Sequence, residues 1–203
     1  PVLARMEGHG VRLDRVAATT LASELGDKVD GARARVVVAL EQGVKFNPRS
    51  HEQLGVALKE LEVPIRKRTK VKRMMVTDND TLLSVRAYAP EAIDAILEMR
   101  SAAKLASYLD SWLVLADDTG YIHTSFNQGG HYEEAGGEGA TPQGRLSSSD
   151  PNMQNIPHHA NEEMGRRIRS CIVASPGCVL MAADVEQEEP RIIAYLANDE
   201  TLK

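Results

Sequence analysis

The chain has 203 residues, 42% of them hydrophobic, with a formal net charge of -5. That length and apolar content allow one large domain or two small ones with a real core, and the negative total excludes a uniformly basic nucleic-acid coat. Charge is uneven, however: Arg66, Lys67, Arg68, Lys70, Lys72 and Arg73 form one basic block, and local charge is what a polyanion meets. Only two cysteines, Cys171 and Cys178, are present, which excludes a disulfide scaffold and points to a reducing, cytoplasmic setting. Both read as buried small hydrophobes. There is no signal-type apolar stretch and no run near the roughly 20 apolar residues that span a bilayer, so a soluble protein with no membrane partner is expected. The start at Pro1 hints at trimming from a longer polypeptide.

From Val16 to Gln42 the residues Leu21, Leu25, Val29, Ala32, Val36 and Leu40 recur every three or four positions, which predicts an amphipathic helix ended by Gly43. Ser50 with Gln53 reads as a capping box opening a helix through Leu61, stopped by Pro64. Thr77 with Asp80 repeats the pattern. Between these helices the basic block at 66–73 lacks apolar periodicity and reads as an exposed loop, either a solvated charge run or a phosphate-gripping tip. After Pro90, Ile93, Ile96, Leu97, Leu105, Tyr108, Leu109 and Trp112 predict a long helix reaching the turn near Asp117–Gly120. The first 116 residues are expected to be mostly helical.

Beyond Tyr121 the pattern changes. YIHTSF alternates as a strand does, and a loop rich in Gly, Glu and Pro follows from Gly129 to Gln143. His131, Glu133 and Glu134 in that loop lack a rigid frame for a metal. His158, His159, Glu162 and Glu163 match no helical zinc spacing, and Asn161 reads as a helix cap instead. IRSCIVAS and CVLMAADV are two apolar, β-branched runs joined by Ser175-Pro176-Gly177, which predicts an antiparallel hairpin through a type II turn. The second strand would end at Asp184. A helix from Glu186 to Asn198 would follow, with Ile192, Ile193 and Leu196 on one face and Pro190 tolerated in its first turn.

A carboxylate where a buried strand meets a helix start can hold a divalent cation and leave coordination open for substrate oxygens. The same place suits a plain N-cap, with Glu186, Glu188 and Glu189 complementing the helix dipole. Local physics favours the cap.

A wider pattern favours the cation. GRLSSSDPNMQNIP (Gly144 to Pro157), GRRIR (Gly165 to Arg169), and then Asp184, Gln187, Glu189 and Arg191 resemble family A DNA polymerases, the polymerase I type. MEGHGVRLD, FNPRSHEQLGVAL, the KRTK block, EMRSAAKLASYL and DTGYIHTSFNQ agree with that family in order. The resemblance covers essentially the whole chain. It implies an α+β fold, a helical thumb (1–120) followed by the first antiparallel strands of a palm domain (121–203), in an incomplete polymerase fold. It further implies template-directed DNA synthesis on a primer-template, with deoxynucleoside triphosphates as substrates. Asp184 resembles the first palm aspartate that binds two magnesium ions, with the Val185 carbonyl lent to one of them. Glu189 matches a residue beside the incoming sugar, and Arg191 joins it in the catalytic motif. Arg145, Gln154 and Asn155 match residues that follow the minor groove, where hydrogen-bond acceptors are nearly sequence-degenerate. Arg100 and Lys104 match a phosphate-binding stripe on the thumb, and Arg66, Lys67, Arg68 and Lys70 would grip phosphates as well.

The sequence also departs from that family. Where the usual pattern is DYSQIELR, this chain has DVEQEEPR, placing Val185, Glu186, Glu188 and Pro190 at the variant positions and adding two carboxylates. The loop from Gly129 to Gln143 is longer than the family's usual link. The family's fingers residues and second palm aspartate would follow position 203. The resemblance therefore implies an inactive isolated chain, completed by further polypeptide or a second chain. The alternative is a non-catalytic DNA-binding or scaffold descendant.

Overall fold

In the computed structural model, residues 1–43, 45–70, 73–127, 145–156 and 162–199 are described. In chain order they form α1 (Val2–His9), β1 (Val11–Leu13), α2 (Arg15–Ala39), α3 (His51–Glu60), α4 (Asn79–Ser84), α5 (Pro90–Leu115), β2 (Tyr121–Ile122), β3 (Ser125–Asn127), β4 (Ser147–Ser149), α6 (Glu162–Ser170), β5 (Ile172–Val173) and α7 (Glu188–Ala197), with a short 3-10 turn at Arg86–Tyr88. This is the expected α+β mixture of helices and small antiparallel sheets.

Two long helices carry the frame. Asp14 starts α2 by accepting a hydrogen bond from the Ala17 amide at 3.0 Å, and Pro90 starts α5, where its fixed φ suits a first turn. Leu21 and Leu25 of α2 pack with Leu105, Leu109 and Trp112 of α5, while Val36 and Leu40 pack with Ile93 and Ile96. The N-terminal half of each helix thus meets the C-terminal half of the other, an antiparallel pair. Each such buried aliphatic side chain contributes about 1.5–3 kcal/mol relative to exposure. Arg15 fastens one end, its guanidinium donating to the Leu113, Ala116 and Asp117 carbonyls at 3.4, 3.2 and 3.1 Å, which satisfies acceptors that a helix C-terminus otherwise leaves open.

The helix ends differ from expectation. α2 stops at Ala39 rather than at Gly43, and Glu41, at φ 53, supplies the left-handed residue, with its amide bonded to the Val38 carbonyl and that of Gln42 to Val37. Glu62 closes α3 in the same way, before Pro64 is reached. These are Schellman closures made without glycine. Ser50 caps α3 through the Gln53 amide, but the Gln53 side chain turns to the Asn47 amide at 2.7 Å, so the reciprocal half of a capping box is absent. Asp78, not Thr77, caps α4, because the Thr77 hydroxyl is buried against His51.

The YIHTSF stretch is two strands in two sheets, not one. β1 pairs antiparallel with both β2 and β5, with Arg12 opposite Tyr121 and Val173, while β3 pairs with β4, Phe126 opposite Ser148. The predicted hairpin of 168–175 with 178–185 does not form. Its first run is the end of α6 followed by β5, which pairs with β1 instead. The turn itself is present: Gly177 has φ 76 and the Cys178 amide donates to the Ser175 carbonyl at 2.9 Å. Residues 178–185 pair with no strand among the described residues, so Asp184 does not end one. Cys171 is buried as expected, but Cys178 is exposed.

Packing divides the chain into Pro1–Val173 and Ala174–Lys203. In the second unit α7 buries Ala194, while Ile192, Ile193 and Leu196, expected on one helical face, are exposed. Pro190 does sit in the first turn of α7.

Two local features of the first unit yield predictions. Gly10 has φ 68 and ψ -174, a region essentially reserved for glycine, and an added Cβ would lie 2.9 Å from the His123 ring and the Ile122 carbonyl. Gly10→Ala is expected to cost about 1–3 kcal/mol in urea unfolding. His123 uses both ring nitrogens, Nδ1 donating to the Glu7 carbonyl at 2.8 Å and Nε2 facing Asp117 Oδ2 at 3.2 Å. These partners, the Glu7 carbonyl foremost, raise its pKa above the ordinary imidazole value. The contribution of a group with a raised folded pKa is complete below its unfolded pKa and is lost as pH rises through the folded one. Thermal stability should therefore fall more between pH 6 and 9 in the native chain than in His123→Gln.

Candidate nucleic-acid interface

Helix α5 presents Arg100, Lys104 and Tyr108 at four-residue spacing, which aligns them along one face. Arg100 is half-buried and donates to the Thr77 carbonyl at 2.5 Å and to Asn79 Oδ1 at 3.1 Å. Burial lowers its pKa from the ordinary guanidinium value, opposed by the charge of Asp78. Lys104 is exposed and in no ion pair among the described residues. Beside this stripe, Arg49, His51, Met99, Arg100 and Ala103 line a pocket of about 370 Å³, and His51 Nδ1 lies 2.6 Å from the Thr77 hydroxyl. Arg49 and His51 are additions that charge counting missed. The available signal was two basic residues bracketing the helix cap Ser50.

The described flanks of the basic segment are paired with each other. Thr69 donates to the Met74 carbonyl and Val76 to the Lys67 carbonyl, with Arg68 bridged to Met75. Arg66, Arg68 and Lys70 are exposed, whereas Lys67 is paired with Asp78 at 2.8 Å. That hydrogen bond raises the Lys67 pKa and, with the Thr81 amide, holds the Asp78 carboxyl well below the usual range. Lys72 lies outside the described residues.

The stretch 145–156 holds its own backbone. Asn152 Oδ1 accepts from the Gln154 and Asn155 amides at 3.0 and 3.2 Å and from the Ser148 hydroxyl at 3.3 Å. The buried Thr124 hydroxyl lies within bonding distance of the Pro151 carbonyl at 2.7 Å, and Tyr108 donates to the Asn155 carbonyl at 2.8 Å. Asn152, which looks from its residue type like a polymer contact, spends its oxygen organising the turn. Gln154 and Asn155 are exposed with carboxamides unpaired among the described residues, and Arg145 is exposed.

Asp184, Val185, Glu189 and Arg191 belong to the second unit, and all four are exposed. The N-cap of α7 is Gln187, in the left-handed region and without a side-chain cap bond, so Asp184 is no helix cap. Glu188 and Glu189 occupy the first turn, where carboxylates favour the helix dipole. The hard oxygens of Asp184 and the Val185 carbonyl have the right chemistry for magnesium, but among the described residues no three metal-ligating side chains gather. The candidates His131, Glu133, Glu134, His158 and His159 and the cap expected at Asn161 lie outside the described residues. No described helix is long and apolar enough to cross a membrane.

The model of DNA polymerase family A matches residues 16–203. The chain belongs to DNA polymerase family A. Relatives within that family include the thermostable DNA polymerase I of Thermus filiformis, 40% identical over 205 residues, covering all of this chain and 23% of that protein. The thermostable DNA polymerase I of Thermus aquaticus is 38% identical over 204 residues, covering 99% and 23%, and DNA polymerase I of Geobacillus stearothermophilus is 36% identical over 205, covering 99% and 22%. The chain thus spans under a quarter of the length of these family A relatives. Among solved structures it is similar to the POL domain of Pol1 from M. smegmatis in complex with DNA primer-template and dNTP, with TM-score 0.79 and 34% identity over 98% of this chain and 33% of that one.

Proposed function

We propose that this chain is the primer-template-binding portion of a family A DNA polymerase, with 1–120 serving as a thumb and the remainder as the first part of a palm. The observation that carries the reading is one rigid helix, α5, on which Arg100 and Lys104 lead to Tyr108 and the exposed Gln154–Asn155 pair. Cations bind phosphates at any sequence, and exposed carboxamides meet minor-groove acceptors common to all base pairs. Arg49, His51 and Arg100 together suit a phosphate oxygen in their pocket, and Arg66, Arg68 and Lys70 suit phosphates further along. Arg145 joins Gln154 and Asn155 at the groove. The solved relative was captured with primer-template and dNTP, which supports the same ligands for this chain.

Asp184 is proposed to give one carboxylate, and Val185 its carbonyl, to a magnesium site, with Glu189 and Arg191 beside the nucleotide. One carboxylate does not hold two cations roughly 4 Å apart, so the chain by itself should not extend primers, and the remaining ligands would come from further polypeptide or a second chain. A cytoplasmic setting is part of the same proposal. The second reading, a non-catalytic DNA-binding scaffold, is favoured by the DVEQEEPR departures alone.

Duplex binding measured from 50 to 300 mM salt tests the DNA reading. Affinity should fall steeply with salt, and Lys104→Ala or Arg68→Ala should each flatten the log–log slope by about 1. Lys67→Ala should flatten it less, because Asp78 already neutralises that ammonium. Binding that ignores salt would refute phosphate contacts.

A further inference from the structure

Tyr108 has no place in the reading above except as a neighbour, yet its position is unusual. It continues the Arg100–Lys104 row by one more turn of the same helix, and its hydroxyl donates 2.8 Å to the Asn155 carbonyl, 47 residues away in sequence. From the other side, Asn152 gathers the Gln154 and Asn155 amides, while Ser148 donates to Asn152 and accepts from the Met153 amide at 3.1 Å. The backbone of the pair is held from both sides, and its two carboxamides are left facing outward.

We propose that Tyr108 is a positioning residue that fixes the Gln154–Asn155 pair in register with the cationic row on α5, so that minor-groove contact and phosphate grip are set by one helix. This rests on the DNA reading proposed above. Thr124 and the β3–β4 pairing anchor the start of this stretch and Asn152 holds the turn beyond it, but neither ties the Gln154–Asn155 pair to α5. A hydrogen bond from a rigid helix sets its distance and direction relative to the phosphate row, and misplacement of donors by about 1 Å removes hydrogen bonds whose geometry is strict.

The test uses the full chain and two primer-template duplexes of one sequence, one natural and one carrying 3-deazapurines, which lack the minor-groove N3 acceptor. Binding is measured by fluorescence anisotropy at several salt concentrations. The native chain should bind the deaza duplex about fivefold more weakly, the worth of a hydrogen bond. In Tyr108→Phe, which keeps the ring and its packing, that penalty should shrink to near unity while the salt slope stays unchanged. A merely structural loss would weaken both duplexes alike and leave the ratio near five. Asn152→Ala should collapse the ratio as Tyr108→Phe does, because it frees the same turn from the other side. A native penalty of fivefold that persists in Tyr108→Phe overturns the positioning role and leaves the DNA reading standing. Absence of any penalty in the native chain overturns the minor-groove reading and the positioning role together.

Discussion

Asp184→Ala is expected to lower primer extension on the order of 1,000-fold in a chimaera where this chain replaces the matching stretch of the Thermus aquaticus relative. The estimate follows from losing about 4 kcal/mol of charge stabilisation with one anchoring carboxylate, each 1.36 kcal/mol being a factor of ten. Duplex affinity should change little, because the candidate phosphate contacts Arg66, Arg68, Arg100 and Lys104 all belong to the other unit. The comparison is made by single-turnover extension with saturating duplex. Near-parental extension by Asp184→Ala would remove the cation role. A parental chimaera that binds duplex and extends nothing would favour the scaffold reading, with Val185, Glu186, Glu188 and Pro190 as the residues to restore first.

Trp112→Ala is expected to cost about 3–5 kcal/mol of unfolding free energy, the range for emptying a large aromatic site in a core. Trp112 is fully buried among Leu21, Leu25, Leu109, Ile122 and Ile168, which gather residues from α2, α5, β2 and α6, so the cavity would sit where four elements meet. In a unit of this size the loss corresponds to roughly 10 °C in Tm. Trp112→Phe should cost much less, about 1–2 kcal/mol. It keeps most of the ring volume and removes an indole N–H that finds no acceptor among the described residues. If Phe and Ala cost the same, volume is not what the site requires.

Periodicity made the two long helices legible. Leu21, Leu25, Ala32, Val36 and Leu40 are all buried as their spacing demanded, because an amphipathic stripe has one low-energy disposition, against a partner stripe. Caps were half legible. The Ser50 cap is legible from residue type and spacing, whereas the Asp78 cap is not, because Thr77 beside it offers the same chemistry. A cap is chosen by which neighbouring oxygen is left unengaged, and Thr77 is engaged by His51 only through the fold. The terminations at Glu41 and Glu62 had no glycine to announce them.

Strand pairing was the least legible. CVLMAADV has every local mark of a strand, but a strand exists only through a partner's backbone, and its hydrophobic neighbour IRSCIVAS is claimed by α6 and by the edge of β1. In the candidate interface, composition flagged Arg66, Lys67, Arg68 and Lys70 equally, while the fold separated Lys67, ion-paired to Asp78, from the others. Asn152, beside the two exposed carboxamides, organises the turn with its own oxygen.

The sequence by itself determined the family, the α2–α5 frame and the identity of the basic and carboxamide side chains, since these depend on residue type and short-range spacing. The tertiary structure decided which of those side chains face outward, which are held by partners, and that Tyr108 ties the turn at Asn155 to α5. Such choices turn on contacts between residues as far apart as 47 or 116 positions, and no local pattern encodes a hydrogen bond across that distance.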